Sequence, residues 1–191
     1  MDDKRKVTAG KIKICVSGAA SLSHCGKEAE ELARELGREI VRQGAILVTG
    51  ATTGFPYSTT VGVKEMGGIS IGVSPASSEV EHIKKYRLPV DHLDLIMYTG
   101  FGYAGRNLLL TRTSDAVIIG CGRIGTLNEF TIAFEDKKPI GVLEGPWTMD
   151  ETVKRVVGEA HRGKSAGIVY DHDPKALLEK VFKLVRKEKS S

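Results

Sequence analysis

Four short stretches of this chain gather the residue types that hold an anion. They are Ser17-Gly18-Ala19-Ala20-Ser21, Thr49-Gly50-Ala51-Thr52-Thr53-Gly54, Thr99-Gly100-Phe101-Gly102-Tyr103 and Gly120-Cys121-Gly122-Arg123-Ile124-Gly125-Thr126. Glycine lets the backbone approach a phosphate closely, hydroxyls add donors, and the free N–H groups of a helix start attract negative charge. Any one stretch could be a tight turn of small residues, but four of them together point to a ligand. The candidate phosphate or nucleotide contacts are Gly18, Ala19, Ser21, Gly50, Thr53, Gly122, Arg123, Gly125 and Thr126. Two charged residues, Arg106 and Glu129, flank the last stretch. They read as a catalytic couple, as a plain ion pair, or as a glutamate complementing a helix dipole.

The elements around these stretches explain why they would meet. Short apolar runs at 12–17, 45–49, 69–73, 93–98, 115–119 and 139–143, with a last one at 167–170, read as strands. Helical spacing covers 26–43, 58–66, 104–113, 125–136, 149–160 and 173–188, with an irregular stretch expected before residue 92. Continuous apolar strands alternating with helices predict a single α/β domain over 1–191, a doubly wound, mainly parallel, Rossmann-like sheet with helices on both faces. Such a sheet binds ligands along the carboxyl rim of its strands. All four anion-type stretches follow strands. The helices carrying Arg106 and Glu129 both begin at that rim.

Composition narrows the class. At 191 residues, 41% hydrophobic and 27% charged, the chain suits a globular domain and excludes a disordered or fibrous one. No apolar run approaches the roughly 18 residues needed to cross a bilayer, and the start lacks a signal-peptide pattern, so the cytoplasm is the expected compartment. The net charge of +4 divides into +3 for residues 1–13, +3 for 173–191 and −2 for the body. The basic excess lies at the ends, taken as solvated over about 1–10 and 187–191, so neither a nucleic-acid nor a membrane partner is indicated. Cys15, Cys25 and Cys121 form neither a CxxC pair nor a zinc spacing, which fits a reducing compartment. Cys121 reads as a reactive thiol or as a passive small residue. His24 beside the first turn reads as a surface residue or a phosphate contact. The other histidines share no ligand spacing, so no metal and no cofactor is expected. Phe101 and Tyr103 read as base-stacking or core rings, and Trp147 as structural.

The stretch Arg106-Asn107 … Ser114-Asp115-Ala116 … Gly122-Arg123-Ile124-Gly125-Thr126-Leu127-Asn128-Glu129 resembles the LOG family, also known as lysine decarboxylase-like. That family's signature is an Arg-Lys pair, an ADA-type strand and PGGxGTxxE. Ser17–Ser21 resembles its first-strand turn. Thr49–Gly54, Gly67-Gly68 and Gly72-Val73-Ser74-Pro75 resemble its second glycine-rich stretch. The resemblance spans about residues 12–145, in a Rossmann-like superfamily that includes molybdenum-cofactor carrier proteins and DprA-like nucleic-acid-binding proteins. It implies hydrolysis of the N-glycosidic bond of nucleoside 5′-monophosphates to free base and ribose 5-phosphate. By motif position, Gly122, Gly125 and Thr126 would hold phosphate, while Arg106 and Glu129 would carry the chemistry. A carboxylate there suits the positive charge that builds on the sugar. The resemblance also implies a homo-oligomer, a dimer or larger. The chain departs from the signature at Asn107 for lysine, Cys121 for proline, Arg123 for the second glycine and Asn128 for an acidic residue. These departures lean toward the alternative, a non-catalytic carrier or sensor of a phosphorylated ligand. A third reading takes Gly120–Gly125 as GxGxxG with Glu144 about 20 residues on, the fingerprint of an NAD-dependent oxidoreductase.

Overall fold

A computed structural model of the protein describes residues 10–161 and 167–189. Most of the basic ends, residues 1–9 and 190–191, lie outside this range. The strands are β1 (Lys13–Ser17), β2 (Ile46–Thr49), β3 (Ser70–Ser74), β4 (Leu95–Tyr98), β5 (Ala116–Ile119), β6 (Ile140–Leu143) and β7 (Ile168–Asp171). The helices are α1 (Ala29–Arg42), α2 (Phe55–Glu65), α3 (Glu79–Lys84), α4 (Gly102–Thr113), α5 (Ile124–Glu135), α6 (Met149–Glu159) and α7 (Pro174–Lys189).

The strands form one sheet in the order β4-β3-β2-β1-β5-β6-β7, with every pair parallel. The central strand β1 pairs with both β2 and β5, so Ile14 lies opposite Leu47 on one side and Ala116 on the other. The chain builds outward from β1 to β4 and then returns through α4 to β5 on the far side of β1. The switch point therefore falls between β1 and β5. Right-handed crossovers in opposite directions place helices on opposite faces. On one face α1 packs against α2 and α7; on the other α4 packs against α5. Ile14, Cys15, Val16 and all of β5 are buried between these layers, as the unbroken apolar runs require. β4 is an edge strand and leaves Leu95 and Met97 exposed.

Local departures from the sequence reading have physical causes. β4 begins at Leu95, just after Asp94, whose carboxylate takes the Ser70 N–H at 2.8 Å in place of a backbone carbonyl and also accepts from Lys64 at 2.7 Å. α1 starts only at Ala29, after a loop through Gly26, whose φ of +82° suits glycine. α3 lies in the stretch expected to be irregular. It is held by a variant of the capping box: the N-cap Ser78 hydroxyl accepts from the Glu81 N–H, while the Glu81 carboxylate reaches one residue further back to accept from the Ser77 N–H. The C-terminal helix runs to Lys189, where residues 187–189 are exposed and Lys189 pairs with Asp115 at 3.1 Å.

The cysteine reading needs correction. Cys25 and Cys121 form a disulfide across a sequence separation of 96, leaving Cys15 as the free cysteine among the described residues. Cys121 is thus neither a reactive thiol nor a passive small residue. A cross-link closing so long a loop contributes on the order of 2–4 kcal/mol. Among the described residues, no helix is long and apolar enough to cross a membrane.

α1 and α2 cross with their backbones nearly touching. A Cβ on Gly62 would lie 2.0 Å from the Arg34 carbonyl oxygen, and one on Gly37 would lie 2.1 Å from that of Thr59. Replacing Gly62 with valine forces the helices apart and should lower stability by about 1–3 kcal/mol in urea unfolding. Glu81 provides a pH test of the cap. Hydrogen bonds from Lys85 and Ser77 lower its carboxyl from 4.5 to about 2. A carboxyl lowered in the folded state stabilises above its unfolded value and loses that contribution as pH falls through the folded one. The protection factor of the Ser77 amide, its exchange rate relative to that of an unfolded chain at the same pH, should therefore fall as pH drops from 4.5 through about 2.

Candidate functional site

The turns after β1, β2 and β5, together with the start of α4, enclose a cleft of about 420 Å³ at the switch point. The β1 turn is pinned by both neighbours. Ala19 N–H donates to the Cys121 carbonyl at 2.7 Å, and Phe55 N–H donates to the Ala19 carbonyl at 2.9 Å. Gly18 and Gly120 lie so close to the Phe55 ring that a Cβ on either would collide with it. Trp147 is buried edge-on against the same ring at 5.9 Å, the structural role expected of it.

Of the residues singled out from the sequence, Gly18, Ala19, Ser21, Gly50, Arg106, Arg123, Gly125, Thr126 and Glu129 line this cleft. Two do not. Thr53 turns away and donates to the Ala20 carbonyl at 2.8 Å, tying two turns together; its neighbour Thr52 faces the cleft instead. Gly122 shapes the turn, since a Cβ there would meet the Thr126 side chain at 2.4 Å. Val16, Ala20, Pro56, Asn107 and Ile124 also line the cleft without having been picked as contacts. Position in a turn or at a helix start was the available signal for Ala20 and Ile124. For the others it was the rim placement of their elements.

Arg106, one turn into α4, and Glu129, in the second turn of α5, meet at the cleft wall. Arg106 Nη1 donates to Glu129 Oε1 at 2.9 Å, with the two side chains 7% and 8% exposed. The second carboxylate oxygen, Oε2, accepts from the Ser17 hydroxyl at the end of β1. Room for the guanidinium exists because residue 50 is glycine; a Cβ there would lie 2.1 Å from Arg106 Nη1. Arg106 Nε is buried without an acceptor, and the guanidinium sits 5.9 Å from the Tyr103 ring centre. Burial pushes the Glu129 carboxyl above its usual value, against the charge of Arg106 and the hydrogen bonds from Ser17 and Arg106. Asn107 donates to Asn128 at 2.9 Å, so two departures from the LOG signature pair with each other.

At the mouth, the N–H groups that open α5 belong to Ile124, Gly125 and Thr126, all cleft residues. Such a helix start receives an anion. Tyr103 is exposed and lines the cleft, so its ring is available to a ligand, while Phe101 is exposed outside the lining. His24 is an exposed residue that meets Arg123, with 3.0 Å between Nδ1 and Arg123 Nη2. Glu144 is held by Lys154 at 2.7 Å and does not line the cleft, which leaves the dinucleotide fingerprint without its acidic partner.

A parallel sheet with this switch-point cleft defines a Rossmann-like α/β protein. The chain belongs to the SLOG cluster4 family, whose profile matches residues 11–178. It is 28% identical over 135 residues to an uncharacterised protein of Archaeoglobus fulgidus, covering 71% of this chain and 83% of that one. Among solved structures it resembles the molybdenum cofactor carrier protein of Chlamydomonas reinhardtii, with a TM-score of 0.73 and 25% identity over 93% of this chain and 99% of that one. It also resembles the molybdenum cofactor binding protein of Rippkaea orientalis, with a TM-score of 0.73 and 24% identity over 95% and 99% of the two chains.

The buried pair has a direct test. Glu129→Ala strands the Arg106 guanidinium without its counter-charge and should cost about 3–5 kcal/mol in urea unfolding. The double variant Arg106→Met/Glu129→Leu should recover most of that loss. A double variant no more stable than the single one would contradict this account of the pair.

Proposed function

We propose that this protein binds a small phosphorylated ligand in the switch-point cleft and holds it intact, as a carrier or sensor. The phosphate would rest on the N–H groups opening α5 and on Thr126, with Arg123 beside it. The remainder would extend along the glycine-lined turns toward Tyr103 and the buried guanidinium. The donors fit such a group: the helix start is open, Gly18 and Gly50 keep side chains out of the wall, and Arg106 Nε is buried with a hydrogen still to donate. The ligand class its structural neighbours suggest is the phosphorylated pterin of the molybdenum cofactor, carried as cargo.

The single observation that favours holding over cleaving is the state of Glu129. Both of its oxygens are engaged, one by Arg106 and the other by Ser17, and the side chain is buried. A carboxylate that stabilises a sugar cation or orients a water acts through lone pairs facing the substrate, and the Arg106 and Ser17 donors each take one of those on Glu129 and weaken its pull on the rest. Hydrolysis of a nucleoside 5′-monophosphate is the second reading. It is favoured by the meeting of Arg106 and Glu129 in the cleft, the two groups to which the LOG resemblance assigns the chemistry. The proposal includes a cytoplasmic setting and a homo-oligomer in which a second copy would cover exposed apolar side chains such as Leu95 and Met97.

Calorimetry with nucleoside 5′-monophosphates, phosphorylated pterins and inorganic phosphate tests binding, and mass spectrometry of the recovered ligand tests its fate. Recovery of an unaltered ester supports carriage. Release of free base and ribose 5-phosphate, abolished by Glu129→Gln, supports hydrolysis instead. Gly125→Asp isolates the anion site, because a Cβ there meets nothing within 4 Å and an acidic residue suits the first turn of a helix. That variant should keep its stability and lose at least about tenfold in affinity for the ester, the effect of one repelling charge worth about 1.4 kcal/mol. Unchanged binding would remove the α5 start from the site.

A further inference from the structure

Beside the anion turn lies a side-chain cluster that ligand binding does not use. Cys25 and Cys121 come from the loops after β1 and β5, and His24 precedes Cys25. Their ligand atoms all lie within 4.8 Å of one another. His24 Nε2 stands 3.7 Å from Cys121 Sγ and 3.9 Å from Cys25 Sγ. Ligand atoms about 2.0–2.3 Å from a tetrahedral zinc ion stand roughly 3.3–3.8 Å apart, so the imidazole lies close to a ligand's distance from both sulfurs, which must themselves part from bonding distance on reduction.

The placement does not depend on the cross-link alone. The Ala19 N–H donates to the Cys121 carbonyl at 2.7 Å, and the Cys25 N–H donates to the Leu22 carbonyl at 2.9 Å. The Cα atoms of the two cysteines are 5.7 Å apart. Both sulfurs are buried and the imidazole is exposed, which leaves an approach from solvent. Two sulfurs and an imidazole, with no carboxylate among them, form a soft donor set that suits a d10 ion and not magnesium or calcium.

We propose that, once the Cys25–Cys121 disulfide is reduced, His24, Cys25 and Cys121 bind one thiophilic d10 cation, Zn²⁺ or Cu⁺. Reduction takes two electrons and two protons from a dithiol, which leaves as its cyclic disulfide, and frees the two thiols. Binding then releases the two thiol protons to solvent as the sulfurs ligate the ion as thiolates. The same two sulfurs cannot serve both states, so disulfide and cation exclude each other. Arg123 donates from Nε to His24 Nε2 at 3.4 Å and stands 3.0 Å from Nδ1 through Nη2, so loading requires this exposed side chain to swing clear of the ring.

The test uses the full chain, reduced with a dithiol, freed of reductant under argon and dialysed against Zn²⁺ in one arm and Cu⁺ in the other, with oxidised protein alongside. Metal content, thiol alkylation and circular dichroism are read together. One ion per chain in either arm, with two thiols protected and the fold retained, is the expected result, and the arm that loads names the ion. Oxidised protein should hold none, and Cys25→Ser or Cys121→Ser should abolish loading. His24→Ala removes one ligand outright and should weaken it by more than the roughly 10- to 100-fold that loss of an outer-shell partner costs. Should the serine variants fail to fold, His24→Ala, at an exposed position, decides the matter. No loading in either arm, loading of the oxidised protein, or loading indifferent to His24→Ala overturns the proposal. None of these outcomes bears on whether the neighbouring cleft binds a phosphate ester.

Discussion

The buried contact of Arg106 with Glu129 sets the demands that the rest of the fold meets. At an effective dielectric near 20, two charges in contact attract by roughly 4–6 kcal/mol. Removing each from water costs several kcal/mol. The pair therefore comes close to breaking even and is a weak explanation for stability. What it requires is placement. Ser17 ends the central strand, Arg106 sits on the helix that returns across the sheet, and Glu129 sits on the helix leaving β5. Only a sheet whose chain reverses direction beside β1 brings these three ends to one point. The glycine at residue 50 and the Phe55 ring packed on Gly18 and Gly120 are consequences of fitting a guanidinium and two turns into that space.

Much of this arrangement could be read from residue order, because a strand buried on both faces must be apolar throughout. That rule located the inner strands, short apolar runs marked the edge strands β4 and β7 as well, and the rim argument brought Arg106 and Glu129 to one pocket. The reading failed where a local signal was overridden or hidden. Ser78 and Glu81 carry the capping-box spacing that starts α3, but nearby prolines and mixed charge made the stretch look irregular. Thr52 and Thr53 are chemically equivalent in the sequence. Which one faces the cleft depends on the neighbouring Ala20 carbonyl, which captures Thr53. The Cys25–Cys121 bond joins residues 96 apart, and no spacing rule reaches that far.

Electrostatics at the cleft follow from the same pair. Because Glu129 cancels Arg106, the buried wall offers directed donors with little net charge. Attraction for an anion must come from the α5 start and from Arg123, the exposed guanidinium at the mouth. The outer surface adds little, since the body between the basic ends is net negative. A ligand with one compact anionic group and a larger, less charged remainder suits this distribution better than a polyanion. Tyr103 beside the guanidinium adds an aromatic face on the same side.

The departures around the anion turn make sense as a set. A proline before the glycines, as in the LOG signature, stiffens a turn by fixing its φ. This chain has Cys121 there and achieves the restraint differently, by covalent attachment to Cys25 in the adjacent loop. Arg123, which replaces a glycine, extends its side chain at the cleft mouth to His24, the neighbour of Cys25. Cys121 and Arg123 thus both lead to the same short segment after β1. The β1 and β5 loops are joined three times over: by the disulfide, by the Arg123–His24 contact and by the Ala19–Cys121 backbone bond. A rigid proline turn restrains only itself, whereas this network couples the anion-binding helix start to the loop that forms the opposite wall of the cleft.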